Sequence, residues 1–204
     1  MKKTLMIGAD PFPPYQYYNN DGNVVGTDYE VVIQALKKAG YDFEIILDEW
    51  SNIEKMVSNN ELDAVFQVQS NDERQKRYYF SNLLRSAVTQ TLTGDENLVI
   101  NNYDDIIKAE LTIGVIENYS YGEHIDNIDS KFKRTYKTQD ELLKDISLNK
   151  VDIGIFDKGV KEYLMKKNNI KSIYSIDNLE FQRELYVIFN DEKLRDDFNK
   201  NLVD

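Results

Sequence analysis

Glu61-Leu62-Asp63-Ala64-Val65-Phe66-Gln67-Val68-Gln69-Ser70-Asn71-Asp72-Glu73-Arg74 reads as a short buried strand, Ala64 to Val68, that runs into a polar turn and delivers an arginine just past its C-terminal end. A brief apolar run bounded by turn residues is a strand signal. In open α/β sheets ligands gather beyond the carboxyl ends of the strands. A guanidinium there suits bidentate capture of a carboxylate. Taken alone, the pattern also fits a plain surface arginine following a strand, which is the commoner case.

Outward from this stretch, further short apolar runs appear at Thr4–Ile7, Phe43–Leu47, Leu111–Ile116 and Val151–Phe156. Between them lie segments of helical periodicity. Val31, Val32, Ala35 and Leu36 follow Thr27, and Ile53, Met56 and Val57 follow Ser51. Four Ser/Thr-x-x-Glu patterns, Thr27/Glu30, Ser51/Glu54, Ser70/Glu73 and Thr138/Glu141, predict capping boxes at helix starts. Strands alternating with helices predict α/β architecture with mostly parallel pairing.

An internal repeat sharpens the reading. Val57, Ser58, Asn60, Leu62 and Asp63 recur as Ile146, Ser147, Asn149, Val151 and Asp152, and Leu5-Met6-Ile7-Gly8 echoes Leu111-Thr112-Ile113-Gly114. Two similar lobes are therefore expected: residues 1–88 with 182–204, and residues 89–181. The extended stretches Ala87–Leu92 and Leu179–Phe189 are expected to carry the chain across and back, as hinge crossings near 87–92 and 179–189. Ligand would bind in the cleft between the lobes.

Composition narrows the chemistry. The 204 residues carry a formal net charge of −11, which argues against a nucleic-acid partner. No apolar run approaches membrane-spanning length, and the first strand is expected to begin directly after Met1-Lys2-Lys3, which does not read as a signal peptide. The absence of cysteine removes disulfides, thiolate zinc sites and thiol nucleophiles. The single histidine, His124, sits in a polar stretch, reads as a surface residue, and leaves no basis for a histidine metal cluster or triad. No cofactor is expected.

Several motifs, in order, carry a resemblance to a known family: Ile7-Gly8-Ala9-Asp10-Pro11-Phe12-Pro13-Pro14-Tyr15, Gly26-Thr27-Asp28, Asp63-Ala64, Glu73-Arg74, Phe80-Ser81, Ile113-Gly114-Val115, and Val151-Asp152 through Asp157. Over nearly its whole length the chain resembles the type II periplasmic solute-binding proteins, specifically the polar amino-acid-binding family (solute-binding protein family 3). The fold this implies is α/β: two similar lobes joined by two crossover strands, with the ligand cleft between them. The resemblance also implies site roles. Arg74 would clamp a ligand α-carboxylate and Asp157 would hold the α-ammonium; on its residues alone Asp157 also reads as the cap of a helix starting near Lys158. Phe12 and Trp50 would pack on the ligand, although a lone tryptophan otherwise reads as core. Ser120, at the start of the second lobe's first helix, would support the carboxylate through its backbone N–H, and Asp10 would help select the side chain. Phe66, Gln67 and Gln69, with Tyr119 and Tyr121, replace smaller residues of relatives, and so either narrow the pocket or offer polar groups to the ligand.

The function implied is extracytoplasmic binding of a small amino-acid-like ligand by cleft closure, for an ABC-type uptake system. The alternative is the ligand-sensing domain of a membrane receptor such as a sensor histidine kinase. The partner would be a transporter permease or the rest of that receptor, and the isolated domain would be a monomer. Most relatives continue beyond the last helix, whereas this chain ends at Asn201-Leu202-Val203-Asp204, so a module cut from a longer protein is expected, its signal or anchor lying elsewhere. A dehydratase on the same fold is the remote reading. It would need a cleft general acid, for which Glu117 or Asp157 would serve.

Overall fold

The computed structural model describes residues 4–202; Met1-Lys2-Lys3 and Val203-Asp204 lie outside the described residues. The chain forms two compact units, Met1–Ser86 with Glu184–Asp204, and Ala87–Arg183.

The first unit begins with β1 (Leu5–Ala9), the short pair β2 (Tyr17–Tyr18) and β3 (Val24–Val25), and α1 (Thr27–Lys38). It continues through β4 (Phe43–Leu47), α2 (Trp50–Ser58), β5 (Ala64–Gln69), α3 (Asp72–Arg77) and β6 (Tyr79–Phe80). Strand β7 (Arg85–Thr93) leads into the second unit. There follow α4 (Asp104–Lys108), β8 (Ile113–Ile116), α5 (Glu123–Asp126), β9 (Lys133–Tyr136), α6 (Gln139–Ser147), β10 (Ile153–Asp157), α7 (Lys158–Asn168) and β11 (Tyr174–Ser175). Strand β12 (Phe181–Phe189) returns to the first unit, and α8 (Glu192–Asn199) closes it.

In the first unit β1 lies between β4 and β5, parallel to both. In the second, β8 lies between β10 and β9, again parallel to both. The expectation of mostly parallel pairing holds only for these inner strands. β12 runs antiparallel to β5, and β7 antiparallel to β10. An antiparallel neighbour needs no helical crossover of its own, so a strand passing between the units can join the sheet in that sense.

Each sheet buries both faces. In the first unit Ile7, Phe66, Phe189 and Phe198 pack with Val32 and Leu36 of α1 on one side. Ile53, Val57 and Leu62 pack with Val65, Val68 and Ile188 on the other. Alternation along β5 sends Phe66 to one cluster and Val65 to the other, as a strand period of two demands. In α1 the buried stripe is Val32, Ile33, Ala35 and Leu36, while Val31 is exposed, so the helical face is turned one residue from the expected one. The second unit is organised around Ile113, Ile153 and Ile155, against Ile106 and Ile125.

The internal repeat is a repeated physical device. After α2, Asn60 takes a left-handed φ of 59°, the Asn60 N–H donates to the Val57 carbonyl and the Glu61 N–H donates to the Met56 carbonyl. After α6, Asn149 has φ 52°, and the Asn149 and Lys150 N–H groups donate to the Ile146 and Asp145 carbonyls. Both are Schellman caps, in which a left-handed residue satisfies the orphan carbonyls of the last turn. Asp63 then accepts from the Met6 N–H at 2.9 Å and Asp152 from the Thr112 N–H at 2.7 Å, so each aspartate ties its strand entry to the neighbouring parallel strand. Gly8 and Gly114 fill matching places in the repeat: a Cβ would fall 2.5 Å from Leu62 Cδ1 at the first and 2.2 Å from Leu142 Cδ1 at the second.

Three of the four expected capping boxes do not form. Only Thr138 caps as read, accepting from the Glu141 N–H at 3.3 Å. Gly26 rather than Thr27 is the N-cap of α1, Glu49 precedes α2 without a side-chain cap, and Asn71 rather than Ser70 caps α3. At α3 a neighbouring Asn acceptor takes the role, since Asn is at least as good an N-cap as Ser. Among the described residues no helix is long and apolar enough to cross a membrane.

Candidate functional site

Within the first unit, the C-terminal ends of β1 and β5 lie side by side because the two strands are parallel neighbours. Arg74 follows β5 on α3, whose N-cap Asn71 accepts from the Arg74 backbone N–H at 2.8 Å. Its side chain is only 13% exposed. Nη1 donates to the Gln69 carbonyl at 3.0 Å and Nη2 to Glu54 Oε1 at 2.9 Å. The guanidinium carbon sits 5.0 Å from the centre of the Trp50 ring, a cation–π distance. Trp50 and Glu54 are one helical turn apart on α2, so both reach the same side. These three side chains, with Asn71, Arg77 and Tyr78, line a cavity of about 390 Å³. Burial pushes the Tyr78 phenol above its ordinary value, against the lowering influence of the Arg77 charge.

A second polar group is built on the bulge of β5. Gln67 has φ 61°. Between the register pairs Tyr186↔Val68 and Ile188↔Val65, residues 66 and 67 face Val187 alone. This bulge re-aims the Gln67 side chain: its amide donates to Asp28 Oδ2 at 2.6 Å. The same oxygen accepts from Arg85 Nε at 3.0 Å, and the Arg85 guanidinium lies 3.6 Å from the Tyr15 ring centre. Gln67 thus spends its amide donor inside the unit. Asp10 is buried just past β1, with its carbonyl accepting from Gln16 Nε2 at 2.9 Å. Phe12 is buried and stacks on Tyr15 at 6.0 Å.

In the second unit Asp157 ends β10 and is 1% exposed. Its Oδ1 accepts from the Gly159 N–H at 2.8 Å and the Val160 N–H at 3.3 Å, so it caps α7. That is the capping reading. Ser120 lies in the loop before α5, which starts only at Glu123 with Gly122 as its N-cap; this corrects the helix-start placement. The Ser120 hydroxyl donates to Asp126 Oδ2 at 2.7 Å, and the Tyr121 N–H donates to Asp126 Oδ1 at 2.9 Å. Tyr121 is structural: its buried hydroxyl accepts from the Ile116 N–H at 2.9 Å. Tyr119 is half-buried, with its ring 6.2 Å from that of Tyr121. Exposed His124 stacks on Tyr103. Among the described residues no group of three or more His, Cys, Asp or Glu side chains is placed to hold a metal.

The sequence reading missed Glu54 as a partner of Arg74, having assigned it to a capping box. The signal that would have found it is the Trp50-x-x-x-Glu54 spacing on one helix face. The Asp28–Gln67–Arg85 group carried no such signal, because only the bulge brings Gln67 to Asp28.

The family model for the bacterial extracellular solute-binding proteins, family 3, matches residues 5–204. The chain belongs to that family. One relative, the L-cystine-binding protein TcyJ of Escherichia coli K12, is 26% identical over 172 residues, covering 81% of this chain and 63% of its own length. The chain therefore spans less than two thirds of that relative. Solved structures share the fold, which is the periplasmic-binding-protein-like α/β fold. The arginine-, lysine-, histidine-binding protein ArtJ of Geobacillus stearothermophilus superposes with a TM-score of 0.83 at 22% identity, over 98% of this chain and 88% of that one. A histidine kinase sensor domain with similarity to periplasmic binding proteins superposes with a TM-score of 0.89 at 14% identity, over 98% and 89%.

Proposed function

We propose that this family 3 protein binds a small amino-acid-like ligand outside the cytoplasm and serves as the receptor of an ABC-type uptake system. The observation that carries the reading is Arg74: a largely buried arginine side chain past the end of β5, its guanidinium fixed by the Gln69 carbonyl and the Trp50 ring. A guanidinium held this way is preorganised to grip a carboxylate in bidentate fashion. Asp157 supplies the opposite charge for the ammonium, at the end of β10 where it also caps α7. Trp50 and Phe12 give apolar faces, and Asp10, Gln69 and Tyr119 bear on the ligand side chain. Gln67 and Ser120 act by positioning, through Asp28 and Asp126. The relatives are binding proteins rather than enzymes, which supports a role without catalysis.

The same chemistry serves a second reading, the sensing domain of a membrane receptor, since the fold is shared with a histidine kinase sensor domain. A signal peptide with a lipid-attachment site on the full-length gene product favours uptake; a following membrane span with an output domain favours sensing. The binding test is a thermal-shift screen of denatured and refolded protein against the common amino acids. A ligand at about 1,000 times its Kd is expected to stabilise the fold by about 4 kcal/mol. Arg74→Ala is expected to remove about 3–5 kcal/mol of binding by leaving a carboxylate unpaired. Unchanged affinity in that variant rules out the clamp.

A further inference from the structure

Resting on the reading of Arg74 as a carboxylate clamp, we infer that Glu54 is an internal counter-ion that occupies the clamp and sets how strongly an anionic group is admitted. Three groups hold the guanidinium. Two are fixed: a main-chain carbonyl at the end of β5, and the face of an indole. The third, Glu54, is itself a carboxylate, the same chemical group the clamp is built to take, and it reaches Nη2 at 2.9 Å. Glu54 is 48% exposed, on a flexible side chain of the α2 surface, so it is the displaceable partner of the three. With Glu54 withdrawn, the Gln69 carbonyl and Trp50 still hold the guanidinium in place. The vacated Nη2 and the cavity beside it are where an external carboxylate enters.

Two carboxylates on one guanidinium repel, so a ligand carboxylate binds at the expense of the Glu54 contact. Glu54 thereby acts as a specificity-determining residue. It disfavours ligands that bring additional negative charge, such as dicarboxylates, relative to those with neutral or cationic side chains. Its position one turn from Trp50 places this charge beside the aromatic wall rather than at a remote surface.

The test is isothermal titration of the full chain with L-arginine, L-glutamine, L-histidine, L-cystine and L-glutamate, in the wild type, Glu54→Gln, Arg74→Ala and the double variant. Glu54→Gln is expected to tighten binding of the amino acids by about fivefold, the scale of one partly exposed ion pair. L-Glutamate is expected to gain most, and the gain is expected to vanish when Arg74 is alanine. Arg74→Lys serves as the reference if Arg74→Ala fails to fold. Equal or weaker binding by Glu54→Gln overturns the inference, as does a gain that survives the loss of Arg74. Binding that Arg74→Ala abolishes but Glu54→Gln leaves unchanged removes this inference alone. Binding of none of the five by either the wild type or Glu54→Gln removes it together with the proposed function.

Discussion

Asp157 is the residue at which structural and ligand roles have to be separated. Its Oδ1 satisfies two orphan N–H groups of α7, and the side chain is almost wholly buried. Asp157→Ala is expected to cost about 1–2 kcal/mol of stability through loss of the cap alone, read as a shift in the denaturant midpoint. Asp157→Asn keeps an acceptor for the cap and removes the charge. It is expected to unfold close to the wild type while losing affinity for zwitterionic ligands. Wild-type affinity in Asp157→Asn would assign the ammonium to another group. The sequence disclosed that an acid sits at this strand end; that it caps α7 is decided by the backbone geometry there. At Arg74 the sequence likewise supplied the charge and its place after the strand. It did not supply Glu54, because an ion pair between α2 and α3 is a product of how the two helices pack on β5.

At the scale of the element, the strongest finding is that the two halves share the same helix exit. Asn60 and Asn149 both adopt left-handed φ, and both helices end in the paired N–H to carbonyl bonds of a Schellman cap. Asparagine tolerates that conformation and β-branched residues do not. Asn149→Gly is therefore expected to leave stability near that of the wild type, while Asn149→Val is expected to cost about 1–3 kcal/mol, read by chemical denaturation. Equal stability of the two variants would show that the left-handed turn is not what holds the exit. This device was visible in the sequence as a repeat of residue types, before its purpose was known. Helix starts were less legible. Ser/Thr-x-x-Glu fits Thr138, yet at the other three helices Gly26, Glu49 and Asn71 occupy the cap. A cap is a local competition among adjacent polar residues, and a four-residue pattern does not say which of them wins.

On the scale of the whole molecule, the first unit is discontinuous. Its sheet needs β12 against β5, and its core needs Leu194 and Phe198 from α8, which are buried beside Phe189. A chain cut after Asn190 is expected to leave β1 and β5 without amide protection in native-state hydrogen exchange. The continuous second unit is expected to retain protection in β8 and β10. Full protection of β1 in the shortened chain would show that α8 is dispensable. By itself the sequence determined the α/β class, the five main inner strands, the internal repeat and the arginine after β5, because each is written in short-range periodicity and residue type. Tertiary structure alone decided the antiparallel fit of the crossing strands, the bulge that turns Gln67 to Asp28, and the pairing of Glu54 with Arg74. Those depend on groups far apart in the chain, whose meeting is fixed by packing and register and by no local pattern.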